Sequence, residues 1–463
     1  MAGLFQALEI GKRAMLTHQY SLQTIGHNIA NVDTPGYTRQ RVRISATYPE
    51  DSMKGPIGTG VTVQDIEQIR DLFLGQQYRE ANKSLGQWTY KEKTLSQIES
   101  LFNEPQENAL GDQLNNFWDS WSELSTNSDS TNNRSMILAQ ANLLVTGFHQ
   151  LSRQLSELRQ SIDQDLQNVT SEINGLTNQI SELNALIKSS ELGSSKANDL
   201  RDARDLLIDE LSNIIDVKTV EKGNGEDIVY MGSMVIVDGS DAFQIGTKTE
   251  NIKGKATSRL VWQGTDVELT NLNGQLKGLL ESRDQKIPEF LDQLNDLAQS
   301  LVQQVNTIHS AGYGADGSTG VNFFDPNFTD AATIRINSEI ESDVNRIVAS
   351  TGPDGDNLVA LAISDLRNQR IAADNTMTIN DFYNSLVGKL GIDTQEAKSF
   401  TNNYELLVAQ VDNARQSVQG VSLDEEMTNM IKFQHAYDAA ARVITTMDEA
   451  LDLVINGMGV VGR

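Results

Sequence analysis

The stretch LFQALEIGKRAMLTHQYSLQTIGHNIANVDTPGY, residues 4–37, decides the fold class. Leu4, Leu8, Gly11, Met15, His18, Leu22, Ile25 and Ile29 follow one another at steps of four and three, the spacing of a helical seam that packs against a second helix. The matching seam lies at the far end of the chain. There Met430, Phe433, Tyr437, Ala440, Ile444, Met447, Leu451, Val454 and Met458 repeat the same steps, in a region where the last residues of a domain commonly fray. The pair predicts N- and C-terminal helices joined as a coiled coil, with both seams forming an assembly interface.

Beyond Ile29 comes a stop signal. In Asn28-Ile29-Ala30-Asn31-Val32-Asp33-Thr34-Pro35-Gly36-Tyr37, Asn31 is expected to take the left-handed helix-end conformation and Pro35-Gly36 to form a turn. From Thr38 to Ile44 the pattern alternates, with Arg39, Arg41 and Arg43 on one face and Gln40, Val42 and Ile44 on the other, which predicts a half-exposed strand. Residues 1–48 are locally basic, with Lys12, Arg13 and the three arginines set against Glu9 and Asp33. Two readings fit: a solvated face, or a surface that docks onto an acidic neighbour.

Further in, residues 65–125 read as helical, anchored by Trp88, Phe117, Trp118 and Trp121, with a polar connection near 126–133. The longest helical signal follows. Leu144, Phe148, Leu151, Leu155, Leu158, Ile162, Leu166, Val169, Ile173, Leu176, Ile180, Leu183 and Ile187 hold one face, with a stutter at Leu158-Ile162-Leu166 that relaxes left-handed supercoiling. Leu200, Leu207, Leu211 and Ile214 continue after a break. At Asp216 the period shortens: Val217 to Val220, Ile228 to Met231, Met234 to Val237, Leu260 to Trp262 and Val267 to Leu269 alternate with Gly, Asn and Asp turns. Helical spacing returns from Leu276 to Ile308, then a Gly-rich loop (311–320), a short strand (333–336), helices at 357–370 and 379–390, and a last heptad face from Phe400 to Val418.

The fold class expected is mainly α with a small antiparallel β domain, in a nested, layered architecture that goes out and returns through the same layers. Its domains are a terminal coiled coil (1–60 plus 420–463), a helical bundle (61–215 plus 271–419) and an inserted β domain (216–270). A chain of 463 residues exceeds what one hydrophobic core usually spans, so several domains are expected.

Composition narrows the partners. Lys and Arg number 37 against 63 Asp and Glu, a net charge of −26, which opposes nucleic acid and anionic membrane. The absence of cysteine excludes disulfides, zinc-thiolate sites and thiol nucleophiles. No run of about 18 apolar residues occurs, so membrane insertion is not expected, and the first residues do not form a cleavable secretory signal.

Chemistry is likewise unpromising. His18, His27, His149, His309 and His435 are scattered without metal-ligand spacing. Gly312, Gly314 and Gly317 spell GxGxxG, but a helix precedes them where a nucleotide site needs a strand, so a flexible turn is expected. Glu157, Asp163, Glu172 and Glu182 read as the solvated side of the long helix. His18 is either a pH-sensitive packing position or a partly exposed seam residue. Met15, Met427, Met430, Met447 and Met458, gathered at the ends, fit partner packing or core filling. No catalytic, cofactor or metal residue is expected.

The segments Ser21-Leu22, Asn28-Ile29-Ala30-Asn31 and Thr34-Pro35-Gly36-Tyr37 resemble the N-terminal signature of bacterial flagellar rod, hook and hook-associated axial proteins. Val421 to Met427 with Ala436 to Ile444 is similar to the matching C-terminal signature. The run Leu276 to Asp284, then Ile287-Pro288, Val305-Asn306, His309 and Gly312, resembles a block of hook-associated members that rod and hook proteins lack. Lys432-Phe433 departs from the family's more usual Gln-Tyr-like pair, and the β segment is shorter than the outer domains of larger members.

The resemblance implies a non-enzymatic structural protein of the hook–filament junction, exported through the flagellar type III apparatus and working outside the cell. It would polymerise through paired terminal helices, in a ring of its own copies, and adapt the hook to the filament. Its implied partners are the flagellar hook protein, a second junction protein (FlgL) and an export chaperone (FlgN) on the C-terminal segment. Asn28, Asn31, Thr34, Pro35, Gly36 and Tyr37 form its signature turn. A hook or distal-rod protein, a flagellum-exported wall hydrolase and an unrelated coiled-coil adaptor are the rival readings. Because each end helix has only one apolar stripe to set against its ordering entropy, residues 1–60 and 420–463 are expected to be disordered or frayed until they assemble.

Overall fold

The computed structural model describes residues 2–52, 55–102, 109–193, 195–252, 255–270, 272–353, 355–373 and 376–457. The N-terminal seam forms helix α1 (Ala2–Ala30), and the chain runs on through strands β1 (Gln40–Ala46), β2 (Glu50–Ser52), β3 (Gly55–Ile57) and β4 (Val61–Gln68). Helices α2 (Leu72–Phe102), α3 (Leu110–Thr126), α4 (Thr131–Ser190) and α5 (Asn198–Ile214) follow. The β segment comprises β5 (Val217–Glu221), β6 (Asp227–Met231), β7 (Met234–Asp238), β8 (Asp241–Ala242), β9 (Ile245–Ile252) and β10 (Lys255–Trp262). The return path is α6 (Gln275–Glu281), α7 (Ile287–His309), β11 (Tyr313–Gly314), α8 (Ser338–Ser342), β12 (Val348–Ser350), α9 (Leu358–Asp365), α10 (Ile379–Gln419) and α11 (Leu423–Asp452).

The two ends pair as their spacing predicts. A Cβ built on Gly11 would lie 2.9 Å from Ile444 Cγ1, and the His18 and Phe433 rings are 5.9 Å apart, so α1 and α11 run antiparallel with their backbones close at Gly11. Met458 lies outside the described residues. Of the residues predicted as helix, 65–68 instead belong to β4, which pairs with β1 across the predicted domain edge at residue 60. A bulge between Arg43 and Ile44 breaks the expected alternation, leaving Ile44 exposed with Arg41 and Arg43.

The body is built on α4, a single helix of 60 residues begun by Ser130, whose hydroxyl accepts the Asn133 N–H. Its predicted face is buried except at Leu158 and Leu183, which are half-buried; at Leu183 the adjacent Asn184 takes the inward position instead. Around α4 pack Phe117, Trp118 and Trp121 of α3, Phe290 and Leu294 of α7, Tyr383 and Leu386 of α10, and Phe323 and Phe324. This core is continuous with Val229, Ile236, Ile245 and Leu260 of the β segment.

Two asparagines fasten that β segment to the helix. Asn184 donates to the carbonyls of Asp227 and Gly239 at 3.0 and 2.8 Å and accepts the Asp227 N–H, while Asn174 donates to Ile245 O at 2.7 Å and accepts its N–H. The β segment therefore lies along α4 and shares its core. Strands β5 to β8 form one antiparallel sheet in sequence order, and β9 and β10 a separate hairpin.

Four further expectations change. Between α6 and α7 the helix widens into a π turn at Ser282–Lys286, next to Pro288, which has no N–H to give. Inside it Arg283, buried, donates to Asp163 and Ser258 O and pairs with Asp284. The GxGxxG loop is tied down rather than free: Gly314 N bonds Ser318 O at 2.8 Å and Ala315 N bonds Asn345 O at 2.7 Å. Beside it His309, buried, bonds Val321 O through Nδ1 and accepts the Val348 N–H at Nε2, and burial pushes its pKa down to about 4. Residues 333–336 make only one bridge, Phe324 to Ile336, instead of a strand. Residues 379–390 and 400–418 are one helix, α10, which packs along α2.

Candidate assembly surface

The signature turn knots three distant parts of the chain. Asn31 N bonds back to His27 O and Asn28 O, and Tyr37 N bonds Thr34 O at 3.2 Å around Gly36 at φ 76°, a type II turn with Pro35 leading. The left-handed residue is Gly36; Asn31, contrary to expectation, has negative φ, because a second turn to Thr34 continues the helix end. Asn28, 1% exposed, uses all its side-chain capacity: Nδ2 donates to Gln40 O (2.9 Å) and Glu426 Oε2 (3.0 Å), and Oδ1 accepts from Tyr37 Oη (2.8 Å) and Gln40 N (3.0 Å). Glu426, 2% exposed, is a carboxylate that would be costly to bury alone. Arg39 Nε meets it at 2.7 Å and Arg39 Nη1 meets Glu425 at 2.7 Å, so Arg39 joins the N-terminal turn to the start of α11.

The same turn is fastened to the body by α5. Thr38 N donates to Asp202 Oδ2 at 2.9 Å, Gln40 Nε2 to Asp199 at 2.8 Å, Gln68 Nε2 to Asp202 Oδ1 at 2.7 Å, and Asn198 Nδ2 to Ile66 O at 2.7 Å. Burial pushes the Asp202 carboxyl up to about 6 despite the Thr38 bonds and the Arg70 charge that favour ionisation. One turn on, burial works against the Asp205 charge, but Arg70, Arg79 and Arg204 outweigh it and hold its carboxyl below the usual range. Burial, with Asp199, Asp202 and Glu426 nearby, raises the Tyr37 phenol. Asp209 links Arg79 of α2 to Arg415 of α10. The alternating Asn198-Asp199-Leu200-Arg201-Asp202-Ala203-Arg204-Asp205 run was the available sequence signal for this clamp.

The predicted seam residues face one another within the chain. Leu4, Leu8, Met15, Leu22 and Ile29 on α1, and Met430, Phe433, Tyr437, Ile444, Met447 and Val454 toward the C-terminus, are each half-buried; Ile25 and Leu451 are buried. His18 is half-buried there, its Nδ1 covered and without a hydrogen-bond partner, and burial lowers its pKa. A second apolar row points away from the seam: Phe5 (55% exposed), Leu16 and Tyr20 on α1, with Leu423, Met427 (57%) and Ile431 on α11. Periodicity alone hid this row, because a seam pattern counts only one face.

Among the described residues no helix is long and apolar enough to cross a membrane, and no group of three or more His, Asp or Glu side chains is gathered as a metal ion would need.

A terminal hairpin sewn by an Asn–Tyr–Glu knot, returning through a helical body, defines a layered axial subunit. Family models match three stretches: one described as "Flagella basal body rod protein" matches residues 8–38, one as "Flagellar basal body rod FlgEFG protein C-terminal" matches 415–457, and one as "Flagellar hook-associated protein FlgK helical domain" matches 95–324. The chain is 35% identical to flagellar hook-associated protein 1 of Bacillus subtilis, with both chains covered completely. It is 25% identical to flagellar hook-associated protein 1 of Salmonella typhimurium, over 95% of this chain and 97% of that one. The solved flagellar hook junction protein FlgK from Burkholderia pseudomallei, 16% identical, superposes with a TM-score of 0.64 over 74% of this chain and all of its own, a likeness of fold. The chain belongs to the flagellar hook-associated protein 1 (FlgK) family, whose members are structural components of the bacterial flagellum.

Proposed function

We propose that this chain forms the hook–filament junction, self-associating in a ring through its terminal hairpin and adapting the hook below to the filament above. The observation that carries this is the hairpin's incomplete burial: its seam is only half covered and a second apolar row stands exposed, as expected of a surface completed by neighbours. In this reading Leu4, Leu8, Met15, Leu22, Ile25, Ile29, Met430, Phe433, Tyr437, Ile444, Met447, Leu451 and Val454 set the hairpin's shape, and the outer row meets adjacent subunits. The knot of Asn28, Tyr37, Arg39 and Glu426 holds the start of α11 to the N-terminal turn, and the bonds from Thr38 and Gln40 to Asp202 and Asp199 of α5 set that turn against the body. The terminal layer serves assembly, and the helical body gives stiffness.

The partners in this reading are the hook protein, the second junction protein (FlgL) and, before export, the chaperone (FlgN) holding the C-terminal segment. Deleting the gene tests the position. A deletion strain should build hooks without filaments and shed unpolymerised flagellin into the medium. Normal filaments on that strain would refute the junction role.

A further inference from the structure

A cavity of about 240 Å³ opens between α1, β1 and α11, and its lining reverses the sign of the chain. Ile25, Ile69 and Phe433 give it an apolar flank, while Arg39, Arg41 and Lys432 stand against the single carboxylate of Glu426. Over the whole chain acids outnumber bases, 63 to 37.

The three cations are not equally committed. Arg39 is held by Glu425 and Glu426. Arg41 meets Glu67 at 2.7 Å but its side chain stays 67% exposed. Lys432 is exposed, and among the described residues its ammonium pairs with no carboxylate; it stands 5.8 Å from the centre of the Phe433 ring. The cavity is smaller than the roughly 300–1,000 Å³ of small-molecule sites, and suits one or two side chains delivered by a docked helix. A carboxylate beside an apolar side chain would meet both its charge and its flank.

We propose that this cavity receives a carboxylate-bearing helical face of a second copy of this chain, with Lys432 as the cation that fixes the register. An acidic chain supplies such faces to its own neighbour, and the cavity opens on the hairpin whose outer row is exposed. The inference rests on the reading that the terminal hairpin is the assembly interface.

The test uses assembled flagella from the bacterium that makes the chain. Lys432→Glu should lower incorporation of the chain into flagella about tenfold or more, Lys432→Arg should preserve it, and both proteins should keep wild-type circular dichroism. Because the chain has no cysteine, His435→Cys, exposed one turn beyond Lys432, can carry a benzophenone at a unique position. Illumination should join two copies of this chain. Wild-type incorporation of Lys432→Glu, an adduct only to a different axial protein, or no adduct in normally assembled flagella would each overturn the proposal. A Leu451→Asp variant run in parallel separates the two levels, since its normal incorporation would refute the hairpin interface itself.

Discussion

The body and the terminal hairpin are both helical, yet they are stabilised differently. Phe117, Trp121, Leu144, Phe148 and Leu166 are fully buried in one continuous core that runs from α2 to α10 and into the β segment, and no residue of α1 or α11 belongs to it. Among the described residues of the hairpin, only Ile25, Ala440 and Leu451 are apolar and buried. Its other anchors are polar and local to one end: the Asn28 knot, the Arg39 ion pairs and the α5 clamp. An amphipathic helix owes most of its stability to the surface it packs on. The body supplies its own packing surface, whereas the hairpin has half of one.

The largest effect that follows concerns Leu451. Replacing it with Asp puts a charge into the half-built seam at the end farthest from the knot, so assembly into flagella should be abolished. The body should stay folded, with an unchanged urea midpoint for the loss of tryptophan fluorescence from Trp118 and Trp121. A shift in that midpoint would mean that hairpin and body share one cooperative unit.

The next effect sharpens the boundary between them. In the free monomer, amide exchange at Leu22 and Leu451 should report opening free energies several kcal/mol below that at Leu166, because local stability follows buried contact density. Within the hairpin, protection should fall from the Asn28 end toward Leu451. Equal protection at Leu22 and Leu166 would refute folding on assembly.

The same contrast explains what the sequence made legible. Seams repeat every three or four residues, so α1, α4 and α11 could be read directly, and so could the change of period at Asp216. Polar bonds between distant residues leave no such period. Asn28 and Glu426 are 398 positions apart, and nothing local to either marks them as partners. The basic face at Arg39 was visible, but the acidic group that neutralises it is inside the same chain. Asn174 and Asn184 carry no apolar signal that a periodicity could register, although they fasten the β segment. The π turn at Ser282–Lys286 was hidden because its apolar neighbours keep nearly helical spacing on both sides. In the candidate assembly surface the seam and Met427 were readable and the α1 part of the outer row was not, since Phe5, Leu16 and Tyr20 are too sparse to form a pattern.

The smallest effect lies at the clamp joining the two regions. Burial raises Asp202 from the ordinary carboxylate value to about 6, so between about pH 4 and 6 this one group is more protonated in the folded chain than in the unfolded one. Its contribution to stability is therefore complete below the unfolded pKa and is lost as pH rises through about 6. Glu191, held below its usual range chiefly by its hydrogen bond to Arg201, acts with the opposite sign and loses its contribution as pH falls. Asp202→Asn removes the first term and leaves the second. The stability difference between wild type and variant should change by about 1–2 kcal/mol between pH 7 and about pH 5, favouring the wild type at the lower pH, as read from paired urea titrations. A difference independent of pH would mean that Asp202 stays ionised throughout and holds Thr38 as a simple hydrogen-bond acceptor.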